Sequence, residues 1–484
     1  MANATFDLLL TGGMIVDGAN SPSFEGDVGI LGDRIAAVGD LRNAVAKLVI
    51  NVAGKVVCPG FIDVHTHDDI VVLVKPDCFP KVSQGVTTVI VGNCGISAAP
   101  LQLAKDPPEP LNLLGEKSDF VFESFRQYAE MVEAARPAVN TAALVGHTSL
   151  RVKHVGELSR TATTRETASM QKELEKAMAE GSIGLSTGLA YKNAFAATTD
   201  EVSQLARVAA KYGGIYATHM RDEFDGILEA LEESITIGSE AKLPIVISHL
   251  KCAGPKNWGR SGEVLAAIES SHYHDHLYMD CYPYNAGSSN LDLNQVDEQV
   301  DILITRSDPH PEQVQKLLAQ IAQEWGVSQR EAAQRLMPAG AVYFSIDEQD
   351  MRAILGHEKV MIGSDGLPCD PHPHPRLFGT FPRVLGKYSR EEALFPLRGA
   401  IHKMTGLPAS IFNLRDRGEL KSGYFADIVV FDPIEIRDVA TFESPNQKSI
   451  GIEYVLVNGV ITFRHGHTTG ERAGRYIRNS SSTN

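Results

Sequence analysis

The sequence predicts an α/β protein whose centre is a closed parallel barrel of eight strand–helix units. Three observations support this prediction. Eight apolar segments of β type follow one another along the middle of the chain, segments of helical period separate them, and short strands punctuated by Gly, Asn and Asp occupy both ends. The expected architecture is a (β/α)8 barrel, a small β-sandwich domain formed from both chain ends, and a small subdomain inserted into the barrel.

The composition limits the classes of function. The 484 residues are 43% hydrophobic and 22% charged, as in ordinary globular proteins. The net charge of −15 argues against a nucleic-acid partner, which would need a basic face. The N-terminal apolar stretch lacks a preceding positive region, and no apolar run approaches the roughly 18 residues of a membrane span. We therefore expect a cytoplasmic protein with no membrane partner, and the oligomeric state is left open.

Both chain ends show the same pattern of short predicted strands. Residues 1–60 contain "FDLLLTGGMIVDG" and "GDVGILGDRIAAVGD", and residues 415–484 contain "FADIVVFDP" and "IEYVLVNGVITFRHG". Neither end has enough strands to fold alone, so we expect the two to pair into one domain. The alternative is two separate flaps.

Residues 61–414 are predicted to form the barrel. Its eight strands are predicted in the segments "GFIDVHTH", "GVTTVIVGNCG", "NTAALVGHTSLR", "GSIGLSTGL", "GGIYATHMRDE", "LPIVISHLK", "LYMDCYPY" and "KVMIGSDGLP". Residues 285–343, after strand seven, are too long for one crossover helix. They are predicted to be an inserted, lid-like subdomain.

Residue types suited to metal binding or proton transfer stand where these strands end. In such a barrel, the carboxyl ends of the strands face the active site. The residues at these ends are His65 and His67 on strand one, Cys94 on strand two, His219 on strand five, His249 on strand six and Asp365 on strand eight. All are typical zinc ligands or acid–base groups.

The spacing in strand one also has a physical meaning. Side chains alternate along a strand, so Asp63, His65 and His67 should share one face. Two imidazoles inside a barrel need partners. They are either hydrogen-bonded core residues or metal ligands, and the thiol, histidines and aspartate at other strand ends favour a metal. Asp63 lies deeper and is predicted to accept a hydrogen bond from an imidazole.

The cysteines and one further histidine carry alternatives. Cys94 is a metal ligand, a nucleophile activated by histidine, or a buried apolar residue, and the surplus of histidines favours the ligand. His147, which closes strand three, is a ligand, a substrate contact or a core histidine. The remaining thiols are predicted to be structural: Cys58, Cys78, Cys252, Cys281 and Cys369.

Taken together, these residues resemble the amidohydrolase superfamily. "GNCGIS", "ATHMRDE", "ISHLKCAG", "YPY", "IGSDGLP" and "HPHPRLFGTFPRVLG" further resemble the N-acyl-D-amino-acid deacylases, or D-aminoacylases. The resemblance spans essentially the whole chain. It implies a metal-dependent hydrolase with a TIM barrel.

The resemblance also implies a ligand set. Many superfamily members bridge two metals with a carboxylated lysine on strand four, whereas "GSIGLSTGL" contains none. In the deacylases a strand-two cysteine takes that role, and Cys94 matches it. One tightly bound Zn²⁺ is implied on Cys94, His219 and His249. A second, weak divalent-metal site on His65 and His67 would share Cys94, and Asp365 would be the catalytic acid–base.

Substrate contacts follow from the same resemblance. Lys251, Tyr282, Ser289 and Arg376 match positions around the substrate carboxylate, and Tyr191 matches one near the scissile amide. Independently, Arg376 and Lys251 follow strand ends, where cations suit a carboxylate. Their alternative role is that of solvated surface charges.

Two departures from the family pattern bear on specificity. Leu250 follows His249 where the family usually has histidine, which changes the pocket wall. No Arg or Lys lies between residues 285 and 305, where members acting on N-acyl-D-glutamate carry an arginine, and Asn294 and Gln295 stand there instead.

The sequence therefore predicts a zinc-dependent enzyme that hydrolyses small N-acyl-D-amino acids with neutral or hydrophobic side chains to a carboxylate and a free D-amino acid. The alternatives are an N-acyl-D-glutamate or N-acyl-D-aspartate deacylase, another amidohydrolase such as a cyclic amidase, and an inactive scaffold.

Overall fold

A parallel barrel forms the centre of the computed structural model, which describes residues 5–479. The barrel strands, numbered one to eight, are Phe61–Asp63, Val86–Val91, Asn140–Ala143, Gly184–Gly188, Ile215–His219, Ile245–Ile247, Leu277–Cys281 and Val360–Ile362. The short strand Val145–Gly146 continues strand three and pairs with strand four. Each of the eight strands lies within one of the predicted segments.

The barrel closes between strands eight and one. Neighbouring strands pair in parallel along the chain order. Thr66 and Gly366 form a parallel bridge, and the backbone N–H of Asp365 donates to the carbonyl of His65 at 2.7 Å. The segments that carry His65 and Asp365 are thereby held side by side.

Helices follow the strands and cover the barrel. The longer ones are Phe125–Ala135, His147–His154, Thr164–Ala179, Thr199–Lys211, Ile227–Ala241, Ser261–Ser270, Glu348–Gly356, Arg376–Arg383 and Leu397–Met404. Shorter helices are Val71–Val74, Phe79–Val82 and Gly406–Ile411, and Val384–Glu391 is a π-helix. The helix at 164 begins with a capping box, in which Thr163 and Glu166 satisfy each other's backbone N–H groups.

Alternate strand positions serve two apolar layers, as the period of two requires. Ile62, Ile90, Ala142 and Val246 belong to one buried cluster that is shared among the strands. The alternate positions pack against the helices in a second, larger cluster. Apolar packing therefore fixes the strands and leaves their carboxyl ends for polar residues.

Strands from both chain ends form one continuous sheet. Its nine strands are Thr5–Ile15, Phe24–Leu31, Arg34–Gly39, Val45–Asn51, Val56–Pro59, Ile428–Phe431, Ile452–Val457, Val460–Arg464 and His467–Thr468. Val56–Pro59 pairs antiparallel with Ile428–Phe431, which joins the two ends. This terminal sheet has its own apolar cluster, so the predicted fold class is confirmed.

The insertion contains a small antiparallel sheet and two helices. Ala339–Tyr343 pairs with both Gly287–Asn290 and Ile302–Ser307, and the helices are Leu318–Trp325 and Gln329–Leu336. The strands and helices share a separate buried cluster. The insertion therefore has a core of its own, while the domain boundaries at 60, 285, 343 and 415 stay predictions.

Within residues 5–479, no helix combines the length and apolarity needed to cross a bilayer.

A buried ionic network joins the terminal sheet to the barrel. Asp427 pairs with Arg417 and accepts hydrogen bonds from the side chain of Asn140, at 3.1 Å, and the backbone of Asn458, at 2.7 Å. Asp427 is 5% exposed and Arg417 is 6% exposed. Asn140 lies on barrel strand three, so one carboxylate links both units.

Replacing Asp427 with alanine should destabilise the protein by about 3–5 kcal/mol, because the Arg417 charge would stay buried without its partner. Urea unfolding followed by circular dichroism measures this loss. Asp40, paired with Arg42 on the surface, is the control. An Asp40→Ala midpoint equal to that of the wild type is expected, and an Asp427→Ala midpoint equal to it would contradict the role of this network.

Candidate metal centre

The first two histidines lie just beyond barrel strand one. The regular strand ends at Asp63, and His65 and His67 occupy the following segment. Both imidazoles are buried, at 0% and 2% exposure. Their ring centroids lie 5.6 Å apart. The pairing of this segment with the loop after strand eight directs both rings towards the barrel mouth.

Cys94 follows strand two in a tight turn. Its backbone φ is +52°, in the left-handed region that costs a non-glycine residue about 1–2 kcal/mol. The turn needs Gly92, because a Cβ there would lie 2.2 Å from the carbonyl oxygen of Leu144. The Sγ atom lies 3.2 Å from Nε2 of His65 and 3.4 Å from Nε2 of His249.

His219 ends strand five, and His249 lies two residues after the end of strand six. The rings of His219 and His249 are nearly perpendicular, with centroids 4.4 Å apart. Two groups of potential ligand atoms therefore meet at Cys94, and within each group the atoms lie within 4.8 Å of one another. The groups are Cys94, His219 and His249, and His65, His67, Cys94 and Asp365.

The donor atoms in both groups suit a metal ion. Burial alone raises the pKa of the Cys94 thiol, but His65 and His249 outweigh burial and hold this pKa well below its usual value. Within the described residues, the buried Nδ1 atoms of His67 and His219 have no hydrogen-bond partner. A thiolate with imidazoles is a donor set typical of zinc. The residues present therefore fit a zinc centre.

Asp365 faces this centre from strand eight. Its Oδ1 lies 3.3 Å from Nε2 of His67 and 3.5 Å from Nε2 of His65, and its Oδ2 lies 2.8 Å from a guanidinium nitrogen of Arg376. Burial raises the pKa of Asp365, but Arg376 and His65 outweigh it and keep this pKa well below its ordinary value. The carboxylate is therefore ionised and can accept a proton.

Three residues of the centre have a left-handed backbone. Cys94 (φ +52°), His249 (φ +36°) and Asp365 (φ +47°) all lie in this region. Such strain persists only where the surroundings impose it, and it is frequent at functional sites. The centre is therefore built into the fold at a cost in stability.

The structure corrects the prediction for Asp63. Its carboxylate accepts hydrogen bonds from Lys81, the side chain and backbone of Ser364, and the backbone of His65, and within residues 5–479 no imidazole donates to it. The imidazole partner is Asp280 on strand seven, whose Oδ2 lies 3.1 Å from Nδ1 of His65. The prediction was wrong because regular alternation stops at Asp63.

His147 lies apart from both ligand groups. Its Nε2 lies 2.9 Å from Glu201, which also accepts two hydrogen bonds from Arg151. Burial raises the pKa of Glu201, but His147 and Arg151 outweigh it and lower that pKa to about 2. Of the three alternatives, the structure favours a core histidine.

Glu223 is a site residue that sequence reasoning missed. It contacts Nδ1 of His249 at 3.0 Å and lies 3.6 Å from Nε2 of His219. A carboxylate behind a ligating histidine fixes its tautomer and orientation. The signal in the sequence was an acid four residues after His219, in "ATHMRDE".

Several of the predicted substrate-binding residues interact with other side chains of the protein. Lys251 donates to Glu223 at 2.5 Å, and the ring centroids of Tyr191 and His219 lie 4.9 Å apart. Ser289 lies on the insertion strand Gly287–Asn290. Arg376 pairs with Asp365, and its guanidinium lies 4.5 Å above the ring of Tyr282. Among the described residues, the hydroxyl of Tyr282 and the Nε of Arg376 are buried without a hydrogen-bond partner. Both groups are therefore free to donate hydrogen bonds to an anionic ligand.

Comparisons with known proteins agree with this geometry. The model of the amidohydrolase family matches residues 48–306 and 312–463. D-aminoacylase of Alcaligenes xylosoxydans xylosoxydans is 50% identical over 472 residues, which are 98% of this chain and 97% of that protein.

Two solved structures are similar over 98% of this chain and 100% of their own. One is a D-aminoacylase studied for one-metal activation and second-metal attenuation of its binuclear centre, with 50% identity and a TM-score of 0.95. The other is N-acyl-D-glutamate deacylase from Bordetella bronchiseptica, complexed with zinc and a phosphonate mimic of the tetrahedral intermediate, with 44% identity and a TM-score of 0.94. The chain belongs to the amidohydrolase family, and within it to the N-acyl-D-amino-acid deacylases.

Replacing Cys94 with alanine removes the one ligand atom that both groups share. We expect zinc affinity to fall by more than about 100-fold, beyond the 10–100-fold typical of losing an outer partner. Metal analysis of dialysed protein measures this. Cys58→Ala, which removes an equally buried thiol from the terminal sheet, should keep the zinc content of the wild type. Wild-type zinc in Cys94→Ala would show that the thiolate is no ligand.

Proposed function

We propose that this protein is a zinc-dependent deacylase that hydrolyses N-acyl-D-amino acids to a carboxylate and a free D-amino acid. The observation that carries this proposal is the placement of the Asp365 carboxylate against a largely buried group of one thiol and four imidazoles. This is the arrangement required for amide hydrolysis by a metal and a general base.

One tight zinc is proposed on Cys94, His219 and His249. Glu223 supports this assignment, because it contacts His249 and lies near His219. His65 and His67 would form a weaker second site that shares Cys94. When bound, zinc supplies Lewis acidity towards the scissile carbonyl and the attacking water.

Asp365 performs the proton transfers in this proposal. Its carboxylate takes a proton from the attacking water and then gives that proton to the nitrogen of the leaving amine. The ion pair with Arg376 keeps the carboxylate ionised before the reaction. Tyr191 lies beside His219, with ring centroids 4.9 Å apart, and is proposed to contact the scissile amide.

The substrate carboxylate is proposed to bind Arg376, Lys251, Tyr282 and Ser289. The unpaired Nε of Arg376 and hydroxyl of Tyr282 support this assignment, because buried donors without partners favour an added acceptor. A carboxylate held on one side of the scissile bond fixes which hand of the amino acid presents its amide.

A neutral or hydrophobic side chain is the proposed preference. Residues 285–305, which include Asn294 and Gln295, contain no Arg or Lys, and this supports a neutral side chain. Arg330, which reaches this stretch from the helix Gln329–Leu336, donates to the backbone carbonyl of Leu293 at 2.8 Å. The second candidate is an N-acyl-D-glutamate or N-acyl-D-aspartate deacylase. A cyclic amidase is disfavoured because strand four lacks the bridging lysine. Cytoplasmic location stays a prediction.

Replacing Asp365 with asparagine should lower kcat by about 10²–10⁴-fold, because an amide cannot accept the proton of water. N-acetyl-D-leucine turnover by the zinc-loaded enzyme measures kcat. Zinc content should match that of the wild type, since the tight ligands are elsewhere. Near-wild-type turnover with zinc bound would disprove the mechanism.

The side-chain preference is tested with N-acetyl-D-leucine, -methionine, -glutamate and -aspartate. We expect kcat/KM for the leucine and methionine substrates to exceed that for the acidic ones by at least about tenfold, since an unneutralised carboxylate near a buried wall is costly. N-acetyl-L-leucine and a hydantoin are the controls, and both should be turned over poorly. A higher kcat/KM for either acidic substrate would favour the second candidate.

A further inference from the structure

A buried lysine that the proposed mechanism does not use lies beneath the metal centre. Lys81, in the short helix after strand one, is 1% exposed. Its ammonium group donates to Oδ2 of Asp63 at 2.7 Å, to Oγ1 of Thr66 at 2.8 Å and to Oγ of Ser364 at 2.9 Å. It also lies 3.1 Å from Oδ2 of Asp68. An ammonium group has three donors, and this one uses them all.

The acceptors are the sequence neighbours of the site residues. Asp63, Thr66 and Asp68 lie on either side of His65 and His67, and Ser364 directly precedes Asp365. Lys81 therefore contacts neither the histidines nor Asp365 in these bonds. Its hydrogen bonds go instead to residues adjacent to the site residues. These partners belong to the two segments, after strand one and after strand eight, that meet where the barrel closes.

Ser364 connects the Lys81 cluster to the backbone on both sides of Asp365. Its hydroxyl donates to Oδ2 of Asp63 at 2.6 Å and accepts from the N–H of Gly366 at 3.1 Å, so it spans Asp365 in the chain. Its own N–H donates to Oδ1 of Asp63 at 2.8 Å. Asp365, which lies between these two bonded neighbours, has the strained φ of +47°.

The tight ligand group is held by different partners. His249 is oriented by Glu223 through its ring and by Asp280 through its backbone N–H, at 2.8 Å. The turn that carries Cys94 is held by Ser186, whose hydroxyl accepts from the N–H of Gly95 at 3.1 Å. No hydrogen bond of Lys81 among residues 5–479 reaches this half.

We propose that Lys81 is a positioning residue for the acid–base carboxylate: it locks the segments of strands one and eight together so that Asp365 meets the attacking water in the reactive orientation. This inference rests on the proposed function. Because a misplaced base slows the proton transfer without removing substrate contacts, its loss should lower kcat more than it changes KM.

The charges around Lys81 support this positioning role. Burial lowers the pKa of Lys81, but Asp63 and Asp68 outweigh burial and raise this pKa above its usual value, so the group stays an ammonium. Replacing Lys81 with methionine leaves these carboxylates buried without a cation, which costs stability. A second substitution, Asp63→Asn, removes one of the uncompensated charges.

The experiment compares Lys81→Met, Ser364→Ala and the double variant Asp63→Asn/Lys81→Met with the wild type. The measured quantities are kcat and KM for N-acetyl-D-leucine, zinc per chain, and the melting temperature followed by circular dichroism. The matched control is Lys403→Met, another buried lysine, which donates to the backbone carbonyls of His357 and Val360 at the opposite end of strand eight.

For Lys81→Met we expect kcat to fall about 10–100-fold, with KM within about threefold and one zinc retained, as for other outer-partner losses. The double variant should recover part of the lost kcat, and Lys403→Met should lose thermal stability with kcat within about twofold. Ser364→Ala, which keeps the ion pair, should lower kcat about threefold to tenfold and decides the question if Lys81→Met does not fold.

Three results would overturn the inference while the wild type is active: an unchanged kcat in Ser364→Ala or in folded Lys81→Met, a rise in KM alone, or an equal loss of kcat in Lys403→Met. A wild type that is zinc-loaded yet turns over no N-acyl-D-amino acid would instead reject the proposed function.

Discussion

One sulfur atom, the Sγ of Cys94, links the two halves of the centre. It lies 3.2 Å from His65 and 3.4 Å from His249, so strands one, two and six must end within contact of a single atom. A buried thiolate is costly unless cations or a metal surround it, and the imidazoles on both sides meet that requirement. The left-handed turn at Cys94 and the closure of strand one on strand eight are the backbone conditions for this contact. Both are set by the barrel, which is why a large apolar core serves a small group of polar atoms.

Each cation near the centre has a protein carboxylate as its partner. Lys251 pairs with Glu223, and Arg376 pairs with Asp365. These carboxylates also contact the histidines of the candidate metal centre, so the cations and imidazoles compete for the same negative charge. An incoming substrate carboxylate would add negative charge to this balance and favour the ammonium and guanidinium groups as its partners. In the proposed mechanism, substrate binding would be coupled to the basicity of Asp365, since Arg376 contacts Asp365 and is also a proposed substrate ligand.

Much of the molecule follows from the period of the sequence, and the exceptions have physical causes. Apolar runs located all eight strands, because a buried parallel strand must be apolar on both faces. Strand ends then identified the histidines, Cys94 and Asp365 as neighbours. Glu223 was missed because it lies in a loop, where no period specifies direction. Asp280 was missed because the sequence of an apolar strand does not indicate which residue of another strand a single acid will contact. The predicted role of Asp63 was wrong because side chains alternate between the two faces only within the regular strand, and strand one ends at Asp63.

The turn that carries Cys94 also explains why strand four ends in small residues. Strand four ends in Gly188, and a Cβ there would lie 2.2 Å from the carbonyl oxygen of Cys94. Two positions earlier, Ser186 accepts from the N–H of Gly95 at 3.1 Å, so its short side chain is occupied in holding the Cys94 turn. The end of strand four is therefore filled by the backbone of the strand-two turn, and a long side chain would displace it. The Cys94 turn therefore accounts for the small residues at positions 186 and 188 of strand four.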